Sequence, residues 1–126
     1  MRILATGITG FIGKRFAEQV LSEGQYELVG MARDREKAKP LEDQGIEIRY
    51  ADLTKPDTLK GITRDVDVVV HFAALMRFHA PRDILFQHNV DATKVIAEDA
   101  MANGVSHFIY ASTTEAIGPV SNPPGD

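Results

Sequence analysis

A glycine-rich segment, Thr6–Gly13, lies between a short apolar run and an amphipathic stretch of the chain. The run before it, Ile3–Ala5, is typical of a buried strand, and the stretch after it, Phe16–Leu21, carries apolar side chains at helical spacing. A strand, a tight turn and a helix in direct succession are the opening of a βαβ unit, which requires a parallel sheet. The segment therefore restricts the chain to an α/β architecture.

Three glycines in this segment each meet a need of a dinucleotide-binding turn. Gly7 allows the tight turn after the strand, Gly10 lets a pyrophosphate approach the backbone, and Gly13 lets the helix pack closely on the sheet. The start of the helix adds free N–H groups and a partial positive charge. The spacing is G-x-x-G-x-x-G and not the commoner G-x-G-x-x-G, so a purely structural turn is the alternative. We interpret the segment as a nucleotide site.

Strand and helix patterns alternate along the rest of the chain. This order implies a parallel sheet with right-handed crossovers and helices on both faces. If the two halves diverge from the first strand, the result is a Rossmann-type doubly wound sheet with strand order 3-2-1-4-5. The predicted strands are 2–6, 27–32, 46–50, 67–71 and 107–112, and the predicted helices are 11–23, 34–44, 56–63 and 82–103.

Composition and charge exclude several classes of protein. The chain has 126 residues, 44% of them apolar, which is enough for one domain with a core. A net charge of −4 argues against a nucleic-acid partner, and the absence of cysteine removes thiolate catalysis and disulfides. The four histidines do not fall at metal-ligand spacing, and His71 is expected to pack beside the cofactor loop. Without a signal peptide or an apolar run that could span a membrane, we expect a cytoplasmic protein.

Four later segments carry a family resemblance. They are Asp52-Leu53 after the third predicted strand, His71–Ala74 at the end of the fourth, Asn89–Thr93 on the long helix and Tyr110–Gly118 after the fifth. Together with the glycine segment they resemble, in order and spacing, the N-terminal part of an extended short-chain dehydrogenase/reductase. That family includes nucleotide-sugar epimerases and dehydratases, and the nearest branch is that of hydroxysteroid dehydrogenases and dihydroflavonol reductases.

The resemblance implies a cofactor site at positions scattered along the chain. Asp52 would contact the adenine ring, and the backbone after His71 would pass the cofactor. Asn89 would either join a proton relay or cap a kink in the helix. Residues 1–118 would form the NAD(P)-binding domain, and 119–126 would begin a loop towards the missing C-terminal part. The implied cofactor-binding residues are Gly7, Thr9, Gly10, Phe11, Ile12, Gly13, Arg33, Asp52, Leu53, Phe72, Ala73, Ala74 and Asn89.

The end of the second predicted strand decides between the two nicotinamide cofactors. NAD-specific proteins place an acidic residue there to bind the ribose hydroxyls, whereas this chain has Ala32 followed by Arg33. A guanidinium grips a 2′-phosphate with its planar fork, and Arg35 and Lys37 lie near enough in sequence to help. We therefore predict NADP, with NAD as the alternative because Asp34 could reach the ribose. The residues could also form only a solvated helix start.

The catalytic residues that the resemblance implies are incomplete. In the family a tyrosine, its pKa lowered by a lysine four residues later, moves the proton, and a Ser or Thr hydroxyl holds the substrate oxygen. The hydroxyl falls on Thr113, with Ser112 beside it. None of the three tyrosines, Tyr26, Tyr50 and Tyr110, has a lysine four residues later. We expect the chain to lack its general base, its last strands and most of a substrate domain, and to be inactive alone.

Two classes of function remain open from the sequence. The first is an NAD(P)-dependent oxidoreductase, epimerase or dehydratase that acts on a small molecule such as a nucleotide sugar or a ketone. The second is a non-catalytic member of the family that senses NADP or scaffolds a partner. In either class, the helix over 82–103 is a candidate surface for a homodimer, since many relatives pair through it.

Overall fold

Five parallel strands form a single sheet in the order β3-β2-β1-β4-β5 in the computed structural model, which describes residues 1–72, 82, 83 and 87–111. The predicted strand order and the Rossmann-type doubly wound fold are confirmed. The third and fourth strands each begin one residue later than predicted, the fifth ends at Tyr110, and its predicted last residue, 112, lies outside the described residues. They are β1 (Arg2–Thr6), β2 (Glu27–Ala32), β3 (Glu47–Tyr50), β4 (Val68–His71) and β5 (His107–Tyr110).

The central strand β1 is paired on both sides and buried on both faces. Leu4 lies between Val29 of β2 and Val69 of β4, and all three side chains are fully buried. Because successive side chains of a strand point to opposite faces, β1 contributes to two separate cores. Leu4 belongs to the core on one face, and its neighbours Ile3 and Ala5 belong to the core on the other.

Helices cover both faces of the sheet. Helices α1 (Phe11–Glu23) and α2 (Arg35–Asp43) pack on the core that contains Ala5. Helices α3 (Pro56–Leu59) and α4 (Ala92–Ala102) pack on the core that contains Leu4. Among the described residues, no helix is both long enough and apolar enough to cross a bilayer.

Helix α3 is shorter than the predicted helix over 56–63. Gly61 has a positive φ of 76°, which a right-handed helix does not allow. Its N–H donates to Oδ1 of Asp99 at 2.7 Å, and the N–H of Thr63 donates to Oδ2 of the same carboxylate at 3.0 Å. Burial raises the pKa of Asp99, but these bonds, with others from the Thr63 hydroxyl and Asn103, outweigh burial and lower it. The carboxylate on α4 therefore replaces the last turn of the predicted helix.

The predicted helix over 82–103 is not uniform in the structure. Residues 87–91 form a π-helical segment directly before α4, which adds one residue to the turn. The hydroxyl of Thr93 donates to the carbonyl oxygen of Asn89 at 2.9 Å. Asn89 therefore lies in an irregular turn of the helix.

Charged side chains join neighbouring strands at the amino edge of the sheet. The Arg2 guanidinium lies 3.2 Å from the Glu27 carboxylate and 3.1 Å from that of Glu47, and the Arg2 N–H donates to Asp67 at 2.8 Å. Arg49 lies 2.8 Å from Glu47. The hydrogen bond from Arg49 lowers the pKa of Glu47 against the opposing effect of burial. These contacts connect β1, β2, β3 and the start of β4.

Candidate functional site

The glycine turn leaves the start of α1 open at the carboxyl edge of the sheet. Gly7 has a φ of 66°, so the turn after β1 needs the conformational freedom of glycine. The N–H of Gly10 donates to the carbonyl of Gly7 at 3.0 Å, and α1 begins at the next residue. Because the N-cap residue is Gly10, no side chain caps this helix. Its first N–H groups are available to an anion.

Gly10 and Gly13 answer different requirements. A Cβ on Gly13 would lie 2.1 Å from the carbonyl oxygen of Gly7 and 2.8 Å from Cα of Ile8, so packing of α1 on the turn excludes any larger residue. A Cβ on Gly10 would meet only the Gly7 oxygen, at 3.3 Å. The packing of α1 on the turn is thus enough to require glycine at position 13. The space in front of Gly10, by contrast, is not filled by the described part of the chain.

Two large apolar side chains stand in solvent beside this space. Phe11 is 86% exposed and Ile12 is 61% exposed, both in the first turn of α1. Thr9, in the turn itself, is half-buried. Adjacent exposed apolar side chains at a sheet edge are typical of a ligand-binding surface more than of a solvated helix.

The residues after β2 have distinct partners. Asp34 is the N-cap of α2, and its Oδ1 accepts hydrogen bonds from the N–H groups of Glu36 and Lys37 at 2.9 and 3.2 Å. The guanidinium of Arg35 lies 4.0 Å above the ring of Tyr50, in a cation–π contact. Arg33 is exposed and, among the described residues, forms no hydrogen bond or ion pair. Of the charged residues in this stretch, Arg33 is thus freer to meet a ligand than Asp34 or Arg35.

Asp52 and Leu53 lie at the carboxyl end of β3, beside the end of β2. The Asp52 carboxylate accepts hydrogen bonds from the hydroxyl of Thr54 at 2.7 Å and from its N–H at 2.8 Å. These two bonds lower the pKa of Asp52 against the opposing effect of burial, and the charge of Arg33 lowers it further. Asp52 is therefore a charged carboxylate that interacts electrostatically with Arg33. Leu53, the next residue, packs against the hydrophobic core.

A buried chain of hydrogen bonds connects β1, β4 and the π-helical segment. His71, which is 1% exposed, lies 2.6 Å from the Thr6 hydroxyl through Nδ1 and 2.8 Å from the Thr93 hydroxyl through Nε2. Because the Thr93 hydroxyl donates to the Asn89 carbonyl, it must accept from Nε2–H, and Nδ1 must accept from Thr6. Burial lowers the pKa of His71 to about 4, so the ring is neutral with one defined tautomer.

A family description now fits these observations. The model of the NAD dependent epimerase/dehydratase family matches residues 3–126. The chain belongs to this family. The predicted resemblance to the extended short-chain dehydrogenases/reductases is confirmed. The known proteins of this family carry widely different names.

Relatives in sequence span a longer length than this chain. It is 32% identical over 117 residues to the photosystem II assembly factor Ycf39 of Trieres chinensis, covering 90% of this chain and 34% of that protein. It is 29% identical over 123 residues to an NAD-dependent glucose-6-phosphate dehydrogenase of Haloferax volcanii, covering 92% of this chain and 44% of that protein. The chain therefore spans well under two thirds of these relatives.

Solved structures of the family share the fold. A short-chain dehydrogenase/reductase superfamily protein of Agrobacterium tumefaciens with bound NAD superimposes with a TM-score of 0.82 at 26% identity, covering 98% of this chain and 37% of that one. A UDP-galactose 4-epimerase superimposes with a TM-score of 0.79 at 31% identity, covering 98% of this chain and 42% of that one.

Sequence-predicted site residues of this family member gather at the carboxyl edge of the sheet. The glycine turn follows β1, Arg33 follows β2, Asp52 and Leu53 follow β3, and Phe72 follows β4. The ring of Phe72 packs on Phe16 of α1 at 5.3 Å between centroids. The backbone carbonyl of Asn89 is connected to His71 through the hydroxyl of Thr93. The predicted residues Ala73, Ala74, Ser112 and Thr113 lie outside the described ranges.

Sequence reasoning missed the two threonines that hold His71. Thr6 ends β1, and Thr93 follows Asn89 by four residues on the helix. The local signal was the i to i+4 spacing of Asn89 and Thr93, which lets a hydroxyl reach the carbonyl one turn earlier. Thr6 gave no such signal because its partner is far away in sequence. Among the described residues, no three metal-ligating side chains lie together.

Proposed function

We propose that this chain is the dinucleotide-binding part of an NAD(P)-dependent oxidoreductase, epimerase or dehydratase that prefers NADP. The observation that carries the proposal is the open glycine turn, in which uncapped N–H groups of α1 face a space that Gly10 leaves free. A pyrophosphate is the anion that suits such a turn at the start of a helix. Binding of NAD in the Agrobacterium tumefaciens relative supports the assignment.

The proposed cofactor site combines the predicted residues that the carboxyl edge brings together. Backbone N–H groups near Gly10 would hold the pyrophosphate, and Phe11 and Ile12 would lie along the nicotinamide half. Asp52 and Leu53 would border the adenine. Asn89 would stand beside His71, and Ala73 and Ala74 would pass the cofactor with their backbone. The bound cofactor supplies or accepts a hydride, and the protein's part is to orient it and to exclude water.

The proposed preference for NADP rests on the contacts and charges of the residues at the end of β2 and just after it. The Asp34 carboxylate is held at the start of α2 by the two hydrogen bonds that its Oδ1 accepts, so it is committed to capping the helix. Ala32 offers no carboxylate at the end of β2. Arg33 is exposed and its charge would favour a 2′-phosphate. These three observations support NADP over NAD.

The test of this preference is an Arg33→Ala variant of the intact protein, titrated by calorimetry with NADPH and NADH. A charge-assisted hydrogen bond contributes about 1.5–3 kcal/mol, so NADPH should bind about tenfold to hundredfold more weakly and NADH almost unchanged. Arg35→Ala is the matched control, because that guanidinium already lies on Tyr50. Equal losses for both dinucleotides would refute a 2′-phosphate contact by Arg33.

Substrate, partner and location are proposals that the family membership supports. Thr113, with Ser112 beside it, would hold the oxygen of a small-molecule substrate such as a nucleotide sugar or a ketone. The protein would act in the cytoplasm, and the helix over 82–103 would offer a surface for a second copy.

A second candidate function is a non-catalytic family member that senses NADP or scaffolds an assembly. The similarity to a protein named as a photosystem II assembly factor favours it. The first candidate should turn over a substrate and the second should not. The absorbance of the nicotinamide measures this turnover with alcohols, ketones and nucleotide sugars as substrates.

We expect the intact protein to turn over one of these substrate classes and Thr113→Val to abolish that activity. The 126 residues alone should be inactive, because they contain no tyrosine followed four residues later by a lysine. Tight NADP binding without turnover of any class would favour the sensor or scaffold. Turnover by the 126 residues alone would show that another residue supplies the base.

A further inference from the structure

An asparagine at the end of α4 is followed directly by a glycine. Of the three asparagines in the chain, Asn89, Asn103 and Asn122, only Asn103 has this neighbour. Both Asn103 and Gly104 are exposed, in the turn that connects α4 to β5. Asparagine is a thermolabile residue, and a glycine, having no side chain, lets its backbone nitrogen reach the amide carbon of the residue before it. The turn therefore contains the two groups that deamidation requires.

The Asn103 side chain connects α4 to the segment after α3. Its Nδ2 lies 3.1 Å from the Thr63 hydroxyl, 2.9 Å from the Asp99 carbonyl oxygen and 3.2 Å from Asp99 Oδ2. The same carboxylate accepts hydrogen bonds from the N–H groups of Gly61 and Thr63 and from the Thr63 hydroxyl. The Asn103 amide is thus one donor in a network that holds residues 61–63 against α4.

The folded backbone keeps this amide away from the nitrogen that would attack it. Ring closure requires Cβ of Asn103 and the nitrogen of Gly104 to lie on the same side of the bond between Cα and the carbonyl carbon. Asn103 has a ψ of 7°, so its own backbone nitrogen eclipses the Gly104 nitrogen and Cβ is turned away. The Gly104 N–H also donates to the Met101 carbonyl at 3.3 Å. The reaction therefore needs the end of α4 to open, a local event that helix ends undergo more easily than the core.

We propose that Asn103 is a site of spontaneous deamidation, that its contact with Asp99 and Thr63 protects it, and that modification destroys this contact. After opening, the Gly104 nitrogen bonds to Cγ of Asn103, and the bond from Cγ to Nδ2 breaks. The amide nitrogen leaves as ammonia with the proton of the Gly104 N–H. Water then opens the succinimide at one of its two carbonyl carbons, which yields aspartate or isoaspartate.

The product lacks what the contact needs. A carboxylate at position 103 has no N–H donor for the oxygens of Thr63 and Asp99, and it would stand beside the Asp99 carboxylate, which repels it. Isoaspartate also inserts a methylene into the backbone directly before Gly104. The next residue, Val105, donates its N–H to the Ala100 carbonyl at 3.0 Å, so the insertion strains the turn that leads to β5. Each event thus adds a negative charge and loosens α4 from residues 61–63.

The experiment incubates the folded, intact protein in mildly alkaline buffer and locates the products by mass spectrometry of its peptides. The same protein unfolded in urea gives the rate without the folded contacts, and Asn103 should react at least about tenfold more slowly when folded. Thr63→Val removes an acceptor of the amide and a donor to Asp99. It should accelerate the reaction about fivefold to thirtyfold, as expected for one or two lost hydrogen bonds. Thr63→Ser, which keeps the hydroxyl, should react more slowly than Thr63→Val.

Val20→Ala is the matched control, because it opens a cavity in the core on the other face of the sheet. It should lower overall stability but change the rate at Asn103 by less than about twofold, since the two sites are independent. Equal acceleration by Val20→Ala and Thr63→Val would show that the reaction needs global unfolding and would overturn the inference. Equal rates in the folded and unfolded wild type would also overturn it.

Two variants of Asn103 test the consequence of the modification. Asn103→Asp reproduces the aspartate product, and Asn103→Ser removes the amide without adding a charge. The aspartate variant should unfold at a lower urea concentration than the serine variant, and added salt should reduce the difference because it screens the repulsion by Asp99. Identical unfolding of the two variants would overturn the inference that deamidation destroys the contact.

Discussion

Replacement of Gly13 by alanine is expected to destabilise the protein by about 3 kcal/mol, the upper end for overpacking a dense interior. The added Cβ would lie 2.1 Å from the Gly7 oxygen and 2.9 Å from its carbonyl carbon. These are backbone atoms of a tight turn, which cannot move aside as the end of a side chain can. The gain in helix propensity, about 1 kcal/mol, is too small to offset the clash. Urea denaturation measures the change.

Gly10→Ala is the matched variant for this prediction. Its Cβ would meet a single atom at 3.3 Å, so stability should fall by less than about 1 kcal/mol. Dinucleotide affinity should nevertheless fall by about tenfold or more, because the Cβ occupies the space proposed for the pyrophosphate. Wild-type stability of Gly13→Ala would contradict the packing described for α1. Unchanged affinity of Gly10→Ala would remove the turn from the proposed site.

The second large effect is a loss of stability in mild acid that depends on His71. Burial lowers the folded-state pKa of this imidazole from 6.5 to about 4. Between these values the unfolded chain binds more protons than the folded protein, so stability rises with pH. The contribution of His71 is complete above about pH 6.5 and is lost as the pH falls towards 4. It amounts to about 3 kcal/mol, from about 1.4 kcal/mol per pKa unit.

Urea denaturation at pH 7, 6, 5 and 4.5 tests this dependence, with His71→Gln as the control. The variant should be less stable at pH 7, since it loses hydrogen bonds to Thr6 and Thr93, but its stability should change less with pH. The carboxyls with lowered pKa values, Asp52 and Asp99 among them, lose their contribution only at lower pH. Parallel pH dependences of variant and wild type would show that His71 is not the responsible group.

The order of the strands could be predicted from the sequence because each strand and turn is indicated by residues that are neighbours in the chain. The β-branched run before His71 and the glycine turn after β1 are local signals, and the handedness of the crossovers then leaves few topologies. Confirmation of these elements therefore reflects agreement between local preference and tertiary structure.

Other features could not be predicted because their cause is distant in sequence. The early end of α3 depends on Asp99, whose carboxylate accepts hydrogen bonds from Gly61 and Thr63. The single tautomer of His71 depends on two hydroxyls that only the folded sheet and helix bring together.

The ion pairs around Arg2 connect neighbouring strands at the amino edge of the sheet, and the glycine turn lies at the opposite edge. These ion pairs join neighbouring strands at one edge, and the surface offered to ligands lies at the other. Turns at the carboxyl edge can lengthen, shorten or change composition without loosening the sheet. A scaffold divided in this way can acquire a new substrate by altering one edge, which suits a family whose members carry such different names.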